Sequence, residues 1–229
     1  VYGVQIVSSM VIAGGMKRVL LCCGEAHTCL SPTDNKATSM LFGDAGSAMI
    51  IEAGDDTMHC LLKADGKGYQ TILTPGINAR IKVDLNNLEY DDIKETMDGS
   101  GVFEFSIIQV PKAFKEFFKT FECSIDEYDY CVFHHANLFM LEHIRKKIKL
   151  PVEKMPISMD RYGNTSSVSI PITIADLCSR ENTKDEIKFI CSGFGIGLSW
   201  GVLDFTMNKE DILPVIETDN YFKEAYTGK

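Results

Sequence analysis

Apolar and polar positions repeat along this chain with two periods, one helical and one of strands. From the first residue, Val4, Ile6, Val7, Met10, Val11 and Ile12 give a broad apolar face and predict a helix over 1–13, closed by Gly14-Gly15. "KRVLLCCGE" (17–25) then reads as a strand, as does "HCLLKADG" (59–66). "YDYCVFHH" (128–135) and "EIKFICSG" (186–193) are unbroken apolar runs, the pattern of strands buried on both faces. A Phe-rich helical stretch covers 102–121, and Pro111 inside it predicts a kink or a second start. "NLFMLEHIRKKIKL" (137–150) sets Leu138, Leu141, Ile144 and Ile148 at core spacing on one helix. "SSVSIPITIADLCSR" (166–180) is another helix, with Thr165 or Ser166 available as its N-cap. Residues 67–96 are mixed loop, with turn signals at Pro75-Gly76 and Asn86-Asn87. The segment from Met207 onward is polar and acidic and predicts a tail or a peripheral helix.

Two segments align without a gap: "FGDAGSAMIIE" (42–52) and "FGIGLSWGVLD" (194–204). A strand precedes each, and an apolar-periodic helix precedes that strand. The unit helix, strand, glycine loop, strand therefore occurs twice, which predicts an internally duplicated α/β fold. The first copy carries an insertion, "AHTCLSPTDNKATSML", between its strand and its glycine loop. Long loops on a rigid scaffold serve binding or subunit contact.

Composition narrows the function. The 229 residues carry a formal net charge of −9, which repels phosphate backbones, so nucleic acid is not an expected partner. Eight cysteines occur without a C-x-x-C pair, mostly inside apolar runs, and read as small buried hydrophobes in a reducing cytosol. No run approaches the ~20 apolar residues of a membrane span, so no membrane association is expected. Nothing in the first residues has the form of a signal peptide. The chain starts without Met and inside a helical pattern, so the natural protein is expected to extend further on the N-terminal side.

Three segments hold candidate chemistry. His134 and His135 follow a buried strand at the junction where α/β sheets collect their sites, and strand alternation sends the two rings to opposite sides. Asn164 lies on a tight turn before a helix, its amide placed to donate into a cleft. "GFGIGLSWG" (193–201) lets backbone N–H groups approach a ligand. Each has a plainer reading as a core histidine, a turn asparagine and a strand bulge, and the residues alone leave both open. His27, His59, His134 and His135 show no ligand spacing, so no metal site is expected.

In their order and spacing, "HHAN", "DRYGNTSSVSIP" (160–171) and "GFGIGLSWG" resemble the β-ketoacyl-acyl carrier protein synthase III family of condensing enzymes. "MLFGDAGSAMI" (40–50) and "MDGSGVFEF" (97–105) fit the same family, and the similarity runs from Val1 to about Thr206. The resemblance implies a thiolase-like α/β fold, layered α-β-α-β-α and built from two duplicated halves. Residues 1–96 would be the remainder of an incomplete N-terminal half, 97–206 the C-terminal half and 207–229 a tail. It implies decarboxylative Claisen condensation of an acyl-CoA or acyl primer with malonyl-acyl carrier protein. A thiolase-fold acyltransferase that does not decarboxylate, and a non-catalytic partner subunit, are the alternative readings. The family uses a Cys-His-Asn triad: His134 matches the histidine and Asn164 the asparagine, both as hydrogen-bond donors to the thioester oxygen. The cysteine is expected about four residues before Val1, so this chain alone should not complete the reaction. Gly195, Ile196 and Gly197 match the oxyanion segment. His135, Ala136, Asn137, Leu138 and Phe139, with Arg145, Lys146 and Lys147, match the carrier-protein contact region. His135 and Phe139 stand where the family often has Gln and Arg. No resident cofactor is implied, since CoA or phosphopantetheine arrives with the substrates. A cytoplasmic homodimer is implied for the full-length protein.

Overall fold

The computed structural model of the chain describes residues 1–29, 40–73 and 96–219. Most of the insertion after the first strand, both loop turn signals and residues 220–229 lie outside the described residues. In chain order the elements are α1 (Tyr2–Ile12), β1 (Arg18–Glu25), β2 (Ala45–Glu52), β3 (Cys60–Ala64), β4 (Ile72–Leu73) and β5 (Thr96–Met97). Then come α2 (Gly99–Thr120), β6 (Tyr130–Phe133), α3 (Leu138–Ile148), the one-turn α4 (Met159–Tyr162), α5 (Ser169–Arg180), β7 (Glu186–Gly195) and β8 (Ser199–Asn208).

A four-stranded sheet in the order β3-β8-β7-β6 organises the molecule. β6 runs parallel to β7, and β8 pairs antiparallel with both β7 and β3. Both faces are buried, which explains the unbroken apolar runs. On β6, Cys131 and Phe133 join the cluster under α2 and α3, whereas Val132 joins the cluster under α5. The same alternation sends Ile190 to the first cluster and Phe189 and Cys191 to the second. β1 and β2 form a separate antiparallel pair, Leu20 opposite Ile50. α1 lies between that pair and the sheet: Val1 and Val4 pack into the α5 cluster, and Gly3 meets Leu21. The repeat is visible as α1-β1-β2 against α5-β7-β8. A wide connection follows β1, and residues 196–198 alone join β7 to β8.

Several expectations need correction. The division at residue 96 does not hold, because β3 completes the sheet of the C-terminal half by pairing with the open edge of β8. α2 does not break at Pro111. The ring removes one N–H and frees the Ile107 carbonyl one turn earlier, and Lys147 Nζ from α3 donates to it at 2.8 Å. α2 also starts earlier than its apolar pattern, at the cap Asp98, whose Oδ1 accepts from the Ser100 and Gly101 amides. Leu138 lies in the first turn of α3 and is 51% exposed, whereas Leu141 and Ile144 are buried as expected. Neither Thr165 nor Ser166 caps α5 through its side chain: 166–168 form a 3-10 turn, and α5 begins at Ser169. Among the described residues beyond Asn208, Lys209–Asp211 form a 3-10 turn and 212–219 have no regular structure, in keeping with a tail and not with a peripheral helix. Among the described cysteines Cys131, Cys178 and Cys191 are buried, but Cys22 is exposed.

Candidate active site

A cleft of about 560 Å³ opens between the β1-β2 pair and the C-terminal ends of β6 and β7. His134, Asn164, Gly193, Gly195 and Ile196 all line it, so the three candidate segments converge on one cavity. Val1 is also in its wall, 3.1 Å from the position a Cβ would take at Gly193. Gly197 is at the tip of the β7–β8 turn and does not line the cleft; Ile196 is at the exposed rim.

His134 extends β6 by one residue, its backbone N–H donating to the Ser192 carbonyl at 2.8 Å. Ring Nδ1 lies 3.2 Å from the Ser166 carbonyl and 3.3 Å from Ser169 Oγ. Ser169 Oγ gives its only hydrogen to the same carbonyl, at 2.9 Å. Two acceptors therefore face Nδ1, and Nδ1 must carry the ring hydrogen. Burial, reinforced by the neighbouring His135, pushes the pKa of His134 down to about 4, so the ring is neutral near pH 7. Nε2 is left with a bare lone pair. In this tautomer Nε2 can accept a proton, and can donate one only after it has done so.

Asn164 has the opposite character. Its Oδ1 accepts from the Ser166 amide at 2.9 Å, which leaves the amide hydrogens of Nδ2 for the cleft. The first half of the chain holds this loop in place. The Asn164 amide donates to the Leu41 carbonyl at 2.8 Å, and the Gly43 amide donates to the Asn164 carbonyl at 3.0 Å. Gly43 is required there, since a Cβ would sit 1.9 Å from the Tyr162 carbonyl oxygen. Gly163, at φ +67°, supplies the turn before Asn164.

Glu25, at the end of β1, was not singled out by sequence. Its carboxylate accepts from the Ser167 amide at 3.3 Å. Burial pushes its pKa up, but hydrogen bonds from Ser167 and Ser166 outweigh that and hold it below the usual range. Glu25 thus steadies the turn whose carbonyl fixes His134. Ser166 itself adopts φ 50°, a left-handed conformation that non-glycine residues hold only where the surroundings enforce it. His27 stacks on Phe42 with centroids 4.6 Å apart, and both line the cleft. The insertion that contains His27 was read as a binding loop, but no periodicity marked either residue.

The carrier-contact candidates divide into buried and exposed groups. His135 is 1% exposed and Ala136 is buried, so neither belongs to an outer surface. Asn137 caps α3, accepting from the Met140 amide at 2.8 Å. Arg145 is engaged with Glu142 and with the Leu150 carbonyl, and Lys147 with Ile107. Leu138, Phe139, Lys146 and Lys147 remain exposed, and Phe139 stacks on Phe103 and meets His143 edge-on.

Two family descriptions match the chain. 3-Oxoacyl-[acyl-carrier-protein (ACP)] synthase III covers residues 1–66, and its C-terminal counterpart covers 119–207. A β-ketoacyl-[acyl-carrier-protein] synthase III of Neorickettsia sennetsu is 31% identical over 206 residues, 89% of this chain and 61% of that protein. One from Clostridium tetani is 30% identical, over 87% of this chain and 62% of its own length. The crystal structure of a 3-oxoacyl-(acyl-carrier protein) synthase from Burkholderia xenovorans superposes with a TM-score of 0.85 at 32% identity, covering 95% of this chain and 64% of that one. The thiolase-like fold is therefore shared, and the chain spans about three fifths of the length of the curated relatives it matches. By fold, motif order and these matches, the chain belongs to the 3-oxoacyl-[acyl-carrier-protein] synthase III family.

Proposed function

We propose that this chain carries the base and the oxyanion donor of a decarboxylating condensing enzyme, which joins an acyl primer from acyl-CoA to malonyl-acyl carrier protein. The observation that carries this reading is the pairing of opposite hydrogen-bonding characters in one cleft: a bare His134 Nε2 beside the Asn164 amide hydrogens. The nucleophile is a cysteine on a segment preceding Val1, whose own side chain is in the wall of that cleft. His134 Nε2 takes the thiol proton, the thiolate attacks the acyl thioester, and CoA leaves with that proton. Malonyl thioester then enters. Its carbon–carboxylate bond breaks, carbon dioxide leaves, and the electron pair passes onto the thioester oxygen as an enolate. This half-reaction consumes one proton, which His134 Nε2 takes up from solvent before decarboxylation. Nε2 and Asn164 Nδ2 then both donate to that oxygen, and fixed donors in a dry site lower such a barrier by several kcal/mol. The Nε2 proton passes to the cysteine sulfur as that sulfur leaves. The enolate carbon attacks the acyl-cysteine, and the cysteine sulfur is the leaving group. An asparagine donor favours condensation over simple acyl transfer, which forms no enolate.

On this reading the carrier protein docks beside Leu138, Phe139, Lys146 and Lys147, the members of the expected surface that remain exposed. The full-length protein is a cytoplasmic homodimer without a resident cofactor. The test uses the polypeptide that includes the residues before Val1. Incubation with acyl-CoA should add one acyl group to a cysteine, seen by intact mass. Adding malonyl carrier protein should discharge it as a 3-oxoacyl product. The 229-residue chain alone should do neither. Acylation followed by release of the free acid, without condensation, would overturn the reading.

A further inference from the structure

His135 has no part in that mechanism, yet it is almost completely buried and immediately follows the base. A chain of hydroxyls leads from it back to His134. Thr173 Oγ1 donates to the Ser169 carbonyl at 2.7 Å, which uses its single hydrogen. Ser158 Oγ, 2.7 Å from Thr173 Oγ1, must then be the donor of that pair. With its hydrogen committed, Ser158 Oγ can only accept from His135 Nδ1, 3.5 Å away. His135 is therefore protonated at Nδ1, and Nε2 is the bare nitrogen. Nε2 has no hydrogen-bond partner among the described residues. The opposite tautomer would bury an orphan N–H and set two lone pairs against each other at Ser158, which is the costlier arrangement. A backbone hydrogen bond to the Pro156 carbonyl partly offsets the effect of burial on the ring, and Nε2 itself is without a partner, so that carbonyl also favours a hydrogen on Nδ1.

At the other end of the chain, Ser169 uses its carbonyl for Thr173 and its hydroxyl oxygen for His134 Nδ1. The backbone adds a second link. The Ala136 amide donates to the His134 carbonyl at 3.0 Å, so His135 occupies the middle of a three-residue turn that aims His134. Ser158, Ser169 and Thr173 are all buried, so water does not compete for these hydrogens.

We propose that His135, Ser158 and Thr173 form a positioning relay that holds His134 with its hydrogen on Nδ1 and its lone pair on Nε2 toward the cleft. The proposal rests on the reading of His134 as the cleft base. None of the three touches substrate, and their part is to keep the first turn of α5, and with it Ser169, in register with the His134 ring.

The test begins with the 229-residue chain labelled with nitrogen-15 at histidine. Ring nitrogen–proton correlation spectra, assigned through His134→Gln and His135→Gln, report which nitrogen carries the hydrogen. Both rings are expected as Nδ1–H. A His135 ring with its hydrogen on Nε2 overturns the relay without need of any further variant. Thr173→Val, which removes the hydroxyl at nearly constant shape, is expected to give His134 a mixture of tautomers, and Thr173→Ser to restore a single one. In the longer, active polypeptide Thr173→Val should lower kcat about fivefold with KM for the carrier substrate unchanged, the scale of one buried hydrogen bond. A folded Thr173→Val chain with an unaltered His134 ring would show that these hydroxyls only fill space, and would overturn the proposal. If that variant does not fold, the wild-type His135 tautomer decides. The spectra need no substrate, so failure of the condensation reading and failure of the relay are separable.

Discussion

At the scale of single residues, the site depends on where a few hydrogens reside. His134 and Asn164 each use one polar atom on the turn at Ser166 and keep the other for the cleft. Keeping both histidines neutral, His135 fully buried and His134 half-buried, has a consequence for stability. Burial pushes the pKa of His134, and likewise that of His135, down to about 4. An unfolded histidine titrates near 6.5. The stabilisation is therefore fully present above pH ~6.5 and is lost as pH falls toward 4, because the unfolded chain takes up protons first. Denaturant titrations from pH 7.5 to 4.5 should show unfolding free energy falling by up to about 1.4 kcal/mol per pH unit for each histidine. The titratable and charged groups that act on these rings are His135, Glu25 and the Val1 amino group for His134, and Asp160 and Arg161 for His135. A double variant, His134→Gln with His135→Gln, should flatten that slope; an unchanged slope would assign the pH dependence to other groups. His134 and Asn164 were legible in sequence because each sits in a motif of fixed order. Glu25, Ser158 and Thr173 were not, because their roles come from the direction of hydroxyl and carboxylate hydrogen bonds between segments far apart in the chain. The need for His134 to take up a proton before it can donate was not legible either, since its tautomer is set by Ser166 and Ser169.

At the scale of elements, α2 shows how a helix tolerates an internal proline. Pro111 leaves the Ile107 carbonyl without its partner one turn on, and Lys147 of α3 supplies the missing donor. The link also ties α3, the helix that follows the two histidines, to the longest helix. Lys147→Met should destabilise the chain by about 0.5–1 kcal/mol, the net value of one such hydrogen bond. In a Pro111→Ala background the helix amide satisfies Ile107, and the same change should cost nothing. Equal costs in both backgrounds, measured by chemical denaturation, would remove the coupling. The kink predicted from Pro111 failed because its compensation comes from another helix, which no local pattern contains. Leu138 was misread by a related limit. Helical spacing marks a stripe, but it does not show that the first turn of α3 projects beyond the core.

At the scale of the whole molecule, the duplicated plan was legible in the two aligned segments, and the structure shows it as α1-β1-β2 and α5-β7-β8. The boundary between halves was not legible, because β3 precedes the expected division yet pairs with β8, a choice made by strand edges far apart in sequence. The copies also differ in cover. The sheet of the second copy has helices on both faces, whereas the outer face of the β1-β2 pair exposes Leu20 beside Ile50. With Ile6, Met10 and Ile12 of α1 also exposed, this is an apolar area of the kind that draws chains together. Sedimentation of the 229-residue chain should show concentration-dependent association, reduced by Leu20→Lys with Ile50→Glu. A monodisperse monomer at high concentration would contradict that.

The central claim is that His134 and Asn164 together stabilise the enolate formed when malonyl thioester loses carbon dioxide. Its most direct measurement is carbon dioxide release from carboxyl-labelled malonyl carrier protein, using the polypeptide that includes the residues before Val1 and its Asn164→Ala variant. The account predicts release by the parent and a loss of roughly a hundredfold or more in the variant, the scale of removing one oxyanion donor, with KM little changed. Release that is indifferent to Asn164, or product formed with the labelled carboxylate retained, would contradict it.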